Sequence, residues 1–290
     1  MKKPLLISYI IVNYNTYTYT SECVNSIINN KSNEYNYEII IVDNGSTDNS
    51  YELLRQEFRL NCSVQFIKSN QNIGFGRANN LAVENSNGEI LIFTNSDTNL
   101  LNTDVRLVVE KFRRIKNVGQ LGVKILNTDL SIQTIGFKKP SLINDFKLNF
   151  LFWNFNFVKK IRFKSRKNKG LIKVDWVSGA FFIMYKHVFI KIGGFDPNIF
   201  MYSEDLDLST RLIKQGYNNY VFDEVTVVHH HGKSSTFSLK KKIKEKKNYL
   251  YVLKKNRISF FPNMIFLMHI IHIYILYIVK KMVNLFRGDK

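Results

Sequence analysis

The fold is decided by four short apolar stretches: LLISYIIV (5–12), YEIIIVDN (37–44), VQFIKS (64–69) and EILIFTNSD (89–97). Helical patterns lie between them, near 20–30, 48–59 and 77–86. Continuous Ile, Val and Leu strands that alternate with helices are typical of a sheet buried on both faces. We therefore predict a doubly wound α/β domain with a mainly parallel sheet.

A polar string follows each of these strands: NYNT, DNGSTD, NQNIGFGR and TNSD. In open α/β sheets, ligands bind beyond the carboxyl ends of the strands. The strings would bring carboxylate, amide and hydroxyl groups to that edge, which suits a nucleotide and a sugar. The alternative is that Asn, Asp, Gly and Ser simply make turns and helix caps. Four strings in series favour a binding site.

The net charge of +19 is concentrated in two segments. Residues 138–173 contribute +10 and residues 232–257 contribute +9, so the remainder is neutral. Such segments indicate attraction to an anionic surface or a polyanion. Nucleic acid and anionic lipid are both partners of this kind. Cys23 and Cys62, predicted to lie in a helix and a strand, lack metal-ligand spacing and favour a reducing compartment.

The C-terminus contains an apolar helical pattern from Met264 to Val279, with no charged residue. It is shorter than the roughly 20 residues needed to cross a bilayer, and a Lys-rich stretch precedes it. This combination favours a helix that lies in a membrane interface beside basic residues attracted to anionic headgroups. A helix packed on the domain is the alternative.

Several strings, taken in order, resemble glycosyltransferase family 2, and more narrowly its rhamnosyltransferase-like branch: IVNYNT, VDNGSTD, NIGFGRANN, TNSD, WVSGA, GGFDPNIFMYSEDLDL and HHHG. The resemblance covers about residues 5–232. It implies a GT-A fold, and hence a catalytic domain over residues 1–232 followed by a basic and apolar helical region, 233–290. Within the domain it implies a nucleotide-sugar-binding half (5–130), a variable basic and aromatic insertion (131–173) and an acceptor half (174–232).

The resemblance also implies donor-binding residues. Asp43 stands where the family uses a carboxylate to accept the imide N–H of uracil or thymine, although it could equally form a strand-end turn. Tyr14 matches an aromatic residue that contacts the base, and Arg77 could pair with the diphosphate. Asn95 replaces a carboxylate that usually lies towards the ribose.

A divalent cation, Mg²⁺ or Mn²⁺, is implied by the motif Asn95-Ser96-Asp97, where many relatives carry Asp-x-Asp. Asp97 supplies the charged ligand, and His229 matches the position of a metal-binding histidine at the end of a strand. His231 would lie on the same strand face by the period of two. A strand-end histidine with a purely structural role is the alternative for His229.

Asp205 matches the family's general base, which removes a proton from the acceptor hydroxyl. Glu204 and the segment Trp176, Ser178 and Gly179 would line the acceptor and sugar pocket. The alternative for the acidic run is a helix start, with Ser203 as the cap and carboxylates that suit the helix dipole. Both interpretations can hold together.

We therefore expect an inverting transfer from a dTDP- or UDP-linked sugar, with rhamnose favoured, to a saccharide or lipid-linked acceptor. The protein is expected at the inner face of the cell membrane, with no nucleic-acid partner. A nucleotidyltransferase is disfavoured because no Gly- and Arg-rich loop follows the first strand. Two alternatives stay open: a nucleic-acid-binding protein using the aromatic and basic stretch 148–167, and an inactive membrane-associated family member, which Asn95 permits.

Overall fold

The computed structural model describes residues 5–30, 34–100, 103–134, 136–146, 170–230 and 239–287. Contacts divide the chain into two compact units. The first comprises Met1–Lys138 and Lys169–Ser234, and the second comprises Lys139–Asn168 and Ser235–Lys290.

The strands of the described residues all belong to the first unit: β1 (Leu6–Asn13), β2 (Asn36–Asp43), β3 (Val64–Lys68), β4 (Ile90–Asn95), β5 (Thr98–Asn99), β6 (Val118–Leu126), β7 (Ile132–Thr134), β8 (Leu171–Val174), β9 (Phe181–Tyr185) and β10 (Asn218–His229). The helices are α1 (Tyr17–Asn29), α2 (Ser50–Glu57), α3 (Phe75–Glu84), α4 (Val105–Arg114), α5 (Leu142–Phe146), α6 (Lys186–Lys191), α7 (Glu204–Lys214), α8 (Leu239–Lys255) and α9 (Pro262–Arg287).

The sheet has the order β3-β2-β1-β4-β9-β6-β10-β5, with β7 beside β6 and β8 beside β10. The first four strands are parallel, as predicted. Strand β9 runs antiparallel to both of its neighbours, β4 and β6, so the complete sheet is mixed. The predicted α/β fold class is confirmed.

Alternate residues of β1 enter two different cores. Ile7, Tyr9 and Ile11 pack with α1 and α4 on one face, whereas Ile10 and Val12 pack with α3, α6 and α7 on the other. Because side chains of a strand alternate between faces, a strand covered on both sides needs an unbroken apolar run. This explains the continuous Ile and Val stretches.

The carboxyl ends of the parallel strands meet at one edge. Asn13 is in register with Asp43, and Val12 with Asn95. The turn after Asp43 requires glycine, because Gly45 has φ +74° and a Cβ there would lie 2.4 Å from the Gln71 carbonyl carbon. The predicted polar edge is therefore present.

One strand assignment is wrong. Cys62 is exposed in the turn before β3 and does not lie in a strand. Asn61 makes this turn, since its carbonyl accepts a hydrogen bond from the Val64 N–H and its side chain accepts one from the Ser63 N–H.

The described part of the second unit is helical, and helices α5 and α8 both contact α9. Helix α9 starts at Pro262, which is tolerated in a first turn because the first N–H groups have no partner within the helix. It extends past the predicted end at Val279 to Arg287. The predicted insertion falls partly on residues 147–169, which lie outside the described residues.

Candidate active site

The carboxylate of Asp43 lies at the end of β2 and is almost completely buried. Its Oδ1 accepts hydrogen bonds from Asn13 Nδ2 at 2.7 Å and Ser46 Oγ at 2.6 Å. Its Oδ2 accepts the Ser46 N–H at 3.0 Å. A carboxylate has about four lone-pair sites, so Oδ2 can accept a further donor such as an imide N–H. The turn and the base-binding interpretations of Asp43 are compatible.

Asn13 fixes the orientation of Asp43. Its Oδ1 accepts hydrogen bonds from Thr16 Oγ1 at 3.0 Å and Thr20 Oγ1 at 2.8 Å, so its NH₂ group is directed at Asp43. Thr16 Oγ1 also lies 3.2 Å from Ser96 Oγ. The role of Asn13 was not predicted, although a polar residue at the end of a buried strand was an available signal.

Asn95, Asp97 and His229 converge at the same edge. His229 Nε2 lies 3.1 Å from Asp97 Oδ1 and 3.2 Å from Asn95 Nδ2. The antiparallel pairing of β10 with β5 places His229 opposite Thr98, one residue after Asp97. The structure therefore brings together the two predicted metal ligands. His231 lies outside the described residues.

Gln133 holds His229 from the other side. Its Oε1 lies 2.8 Å from His229 Nδ1. Since that oxygen only accepts, Nδ1 carries the hydrogen of this contact, and the Nε2 side of the ring faces Asp97. Such a hydrogen bond orients a ligand histidine and raises its basicity. Gln133 lies on β7, in the stretch predicted as a variable insertion, and no sequence signal marked it.

This group of side chains fits a divalent cation. Burial alone would raise the pKa of Asp97, but hydrogen bonding and charge attraction to His229 hold that pKa below its usual value. Asn95 Oδ1 is buried without a hydrogen-bond partner beside them. Carboxylate and amide oxygens with an imidazole suit Mg²⁺ or Mn²⁺. The described residues include no cluster of three His, Cys, Asp or Glu that could hold a metal.

A second group of side chains begins helix α7. Asp205 Oδ2 accepts the Gly179 N–H at 3.2 Å, and Oδ1 accepts the Leu206 N–H at 2.8 Å. Burial raises the pKa of Asp205, and burial together with the charge of Asp205 raises the pKa of Glu204. Glu204 Oε2 is buried without a hydrogen-bond partner. Raised carboxyl pKa values suit proton transfer near neutral pH.

The backbone before α7 is left-handed at two successive residues, Tyr202 (φ 68°) and Ser203 (φ 72°). Each such non-glycine residue costs about 1–3 kcal/mol, and such strain concentrates at functional sites. Ser203 occupies the cap position, but its side chain makes no capping hydrogen bond. The alternative interpretation of Ser203 as a side-chain cap therefore does not hold, since a capping side chain usually extends from a β-region backbone.

Asp207, the last acid of the same motif, has a structural role. It is fully buried, and its Oδ2 lies 2.8 Å from Arg211 Nε. Arg211 also donates hydrogen bonds to the carbonyls of Ile192 and Gly194. This pair ties α7 to the loop after α6.

The segment Ser178-Gly179-Ala180 connects the two groups of side chains. Gly179 donates to Asp205, while the Ala180 carbonyl accepts the Asn95 N–H at 3.0 Å and Thr98 Oγ1 at 3.2 Å. Ser178 Oγ accepts the Ala180 N–H at 3.3 Å, which stabilises the turn. The base candidate and the metal motif are thus two hydrogen-bonded steps apart.

Three predicted residues have contacts of other kinds. Tyr14 is 41% exposed after β1. Arg77 is exposed in α3, and its Nε donates to the Pro197 carbonyl at 2.8 Å. Trp176 stacks on Phe137 at 4.1 Å between ring centroids and donates through Nε1 to the Lys138 carbonyl. Ligand contacts for these three residues stay predictions.

The fold and this strand-edge site define a GT-A glycosyltransferase. The crystal structure of GalNAc-T7 with UDP, GalNAc and Mn²⁺ aligns with a TM-score of 0.64 at 18% identity, over 88% of this chain and 48% of that chain. The mannosyltransferase PcManGT from Pyrobaculum calidifontis, in complex with GDP-Man and Mn²⁺, aligns with a TM-score of 0.59 at 17% identity, over 92% of this chain and 69% of that chain. At these identities the likeness shows the fold alone.

The family follows from sequence. The model of glycosyl transferase family 2 matches residues 8–193, and the chain belongs to this family. An N-acetylglucosaminyl-diphospho-decaprenol L-rhamnosyltransferase of Mycobacterium tuberculosis is 28% identical over 68% of this chain and 67% of its own. Rhamnosyltransferase WbbL of Escherichia coli is 24% identical over 88% of this chain and 95% of its own. The predicted family and its rhamnosyltransferase-like branch are confirmed.

Proposed function

We propose that this glycosyltransferase moves a sugar, with inversion, from a dTDP- or UDP-linked donor to a lipid-linked or saccharide acceptor at the cytoplasmic face of the cell membrane. Two relatives support rhamnose as the sugar. The mycobacterial relative acts on a polyprenyl-diphosphate acceptor by name, which supports a lipid-linked acceptor here.

The observation that carries the proposal is the position of Asp205, held by Gly179 on the segment that also binds Asn95. Asp205 takes the proton of the acceptor hydroxyl as that oxygen attacks the anomeric carbon of the donor sugar. The bond from this carbon to the diphosphate oxygen breaks with its electron pair on the diphosphate. The products are the glycosylated acceptor and the nucleoside diphosphate.

The donor is bound at the other end of the same network. Asp43 accepts the imide N–H of uracil or thymine, a donor that cytosine lacks. Tyr14 stacks on the base, and Arg77 pairs with the diphosphate. Asp97 and His229 would hold a divalent cation together with diphosphate oxygens. When bound, this ion neutralises the charge that develops on the leaving group.

The experiment measures sugar transfer from dTDP-rhamnose and a panel of UDP-sugars by the purified chain with Mg²⁺ or Mn²⁺. Asp205→Asn is expected to lose about 10²–10⁴-fold in turnover, the usual contribution of a general base, while the donor-induced thermal shift is retained. Asp129→Asn, in the β6–β7 turn, is the matched control. Full turnover by Asp205→Asn would reject the base, and a donor panel without any transfer would reject the function.

A further inference from the structure

The second unit carries almost the whole net charge of the protein. It contains 21 of the 42 Lys and Arg residues but only three of the 23 Asp and Glu residues, which gives +18 of the total +19. The first unit, with the candidate active site, is nearly neutral. The two basic segments are far apart in sequence, yet most of their charge belongs to one unit.

A buried carboxylate joins the three helices of this unit that the structure describes. Asp145 Oδ1, on α5, lies 2.9 Å from the Tyr249 hydroxyl on α8 and 3.0 Å from His269 Nε2 on α9. Asp145 and His269 are 5% and 6% exposed. Asp145 therefore connects α5, which lies within the predicted insertion, to both C-terminal helices.

Helix α9 has an apolar stripe on its exposed side. The stripe consists of residues spaced by three or four: Met264, Leu267, Ile271, Tyr274 and Ile278. Phe260, which is 98% exposed, and Phe261 precede it. Among the α9 side chains that the structure describes, Ile265, Met268, His269 and Ile273 are buried. One side of the helix thus packs within the unit, while the apolar stripe faces outward.

Helix α8 has a lysine stripe with the same spacing. The stripe consists of the exposed residues Lys240, Lys244, Lys247, Tyr251 and Lys254. Val252 and Leu253 are buried, which gives α8 a packed side and a basic side. The two contacting helices therefore present one apolar stripe and one cationic stripe.

We propose that the second unit is a membrane-binding module in which α8 and α9 lie in the plane of an anionic leaflet. The apolar stripe enters the boundary between headgroups and acyl chains, and the lysine stripe pairs with anionic headgroups. This proposal specifies how the protein would bind the membrane named in the proposed function, and it rests on that function. Nucleic acid would match the charge but not the apolar stripe.

The packing favours this in-plane position over a membrane span. Pro262–Val279, with mean hydropathy 1.7, is long and apolar enough to cross a membrane by composition. Its 18 residues extend about 27 Å, slightly less than the hydrocarbon core of roughly 30 Å. If α9 spanned the membrane, it would either separate from the lysine-bearing α8 or draw those lysines into hydrocarbon. A span would also break the contact of His269 with Asp145.

The first test is flotation of the full chain with phosphatidylcholine vesicles, with and without phosphatidylglycerol. We expect binding that requires phosphatidylglycerol and weakens as salt rises. Leu267→Glu/Ile271→Glu and Lys244→Glu/Lys247→Glu should each reduce bound protein at least tenfold. Leu60→Glu and Lys116→Glu, exposed in the first unit, are the matched controls and should bind normally. Equal binding to both vesicles, or retention of RNA without vesicle binding, would overturn the module.

The second test separates in-plane binding from spanning. In a Cys62→Ser background, Ser259→Cys and Arg287→Cys are labelled on sealed vesicles with a membrane-impermeant thiol reagent. Labelling of both positions from the outside is expected, whereas protection of one would show a span. Turnover on a water-soluble acceptor should persist in the stripe variants, so loss of vesicle binding alone is distinguishable from failure of the transferase function.

Discussion

The Gly179 N–H and the Asp205 Oδ2 lie 3.2 Å apart, so a backbone donor orients this carboxylate in the first turn of α7. The next residue, Ala180, accepts a hydrogen bond from the Asn95 N–H. From the adjacent Ser96, the contacts continue through Thr16 and Asn13 to Asp43. A connected network therefore joins the proposed general base, the metal motif and the carboxylate proposed to bind the nucleobase.

The raised pKa of Asp205 predicts the pH dependence of transfer. The base must be deprotonated, so kcat/KM should fall as pH decreases through its pKa. Because burial raises that pKa, the acid limb should lie well above the ordinary aspartate value of about 3.9. A pH profile of kcat/KM at saturating acceptor measures it, and an acid limb at the ordinary value would contradict the assignment.

Glu204→Gln is the control for this profile. Burial raises the pKa of both carboxyl groups, and the negative charge of Asp205 raises that of Glu204 further, which favours the neutral form of Glu204 while Asp205 titrates. Glutamine reproduces that neutral state, and the acid limb of the variant should stay in place. Displacement of the limb would instead show that Glu204 is the titrating group.

Asn95→Asp should increase the response to metal. The new carboxylate would adjoin Asp97 and lie near His229, which adds a charged ligand but also a repulsion when no cation is present. We expect the metal-free Tm to fall by about 2–4 °C for a cost of about 1 kcal/mol, and the Mn²⁺-induced rise in Tm to exceed that of the unaltered chain. Thermal melts with and without Mn²⁺ measure both effects. Asn61→Asp, in the turn before β3, should show neither.

Gln133→Leu should weaken metal binding by about 10–100-fold, because it removes the acceptor that orients His229. Gln133→Glu retains an acceptor at this position and should retain most of the affinity. Calorimetric titration of Mn²⁺ in the presence of UDP compares the two variants. Equal affinities for Gln133→Leu and the unaltered chain would remove Gln133 from the site.

The parallel half of the sheet could be predicted because local signals agree. Ile10 and Ile11 enter opposite cores, and this requires the unbroken apolar run that marks β1. Asp43 and Asn95 end such strands and Asp97 follows one, so topology alone places them at the same edge. The antiparallel direction of β9 could not be predicted, because a short apolar run does not indicate in which direction a strand runs.

The partners of these residues could not be predicted in the same way. Gln133 reaches His229 across 96 residues of sequence, and only the pairing of β6 with β7 brings it there. Asp145 and His269 are 124 residues apart in a contact that depends on helix packing. Single polar residues such as Gln133 and Asp145 belong to no periodic pattern or motif. Their partners are therefore known only from the tertiary contacts of the folded chain.

Asn13→Asp tests the last link of the network. Asn13 Nδ2 is 2.7 Å from Asp43 Oδ1, so the substitution would oppose two carboxylates at a buried position. One of them should then have a strongly raised pKa, because like charges at this distance cannot both ionise easily. We expect a lower Tm at pH 7.5 that partly recovers near pH 5, and a donor KM raised at least about tenfold, which is about 1.4 kcal/mol.

Asn13→Asp/Asp43→Asn separates the structural role of this pair from its binding role. The exchange restores one amide and one carboxylate, so the Tm should recover. Position 43, which faces the base in the proposed function, then carries an amide without a negative charge. The donor KM should therefore stay high, because a hydrogen bond from the imide to a neutral acceptor is weaker than one to a carboxylate. Recovery of KM together with Tm would show that Asp43 serves only the turn.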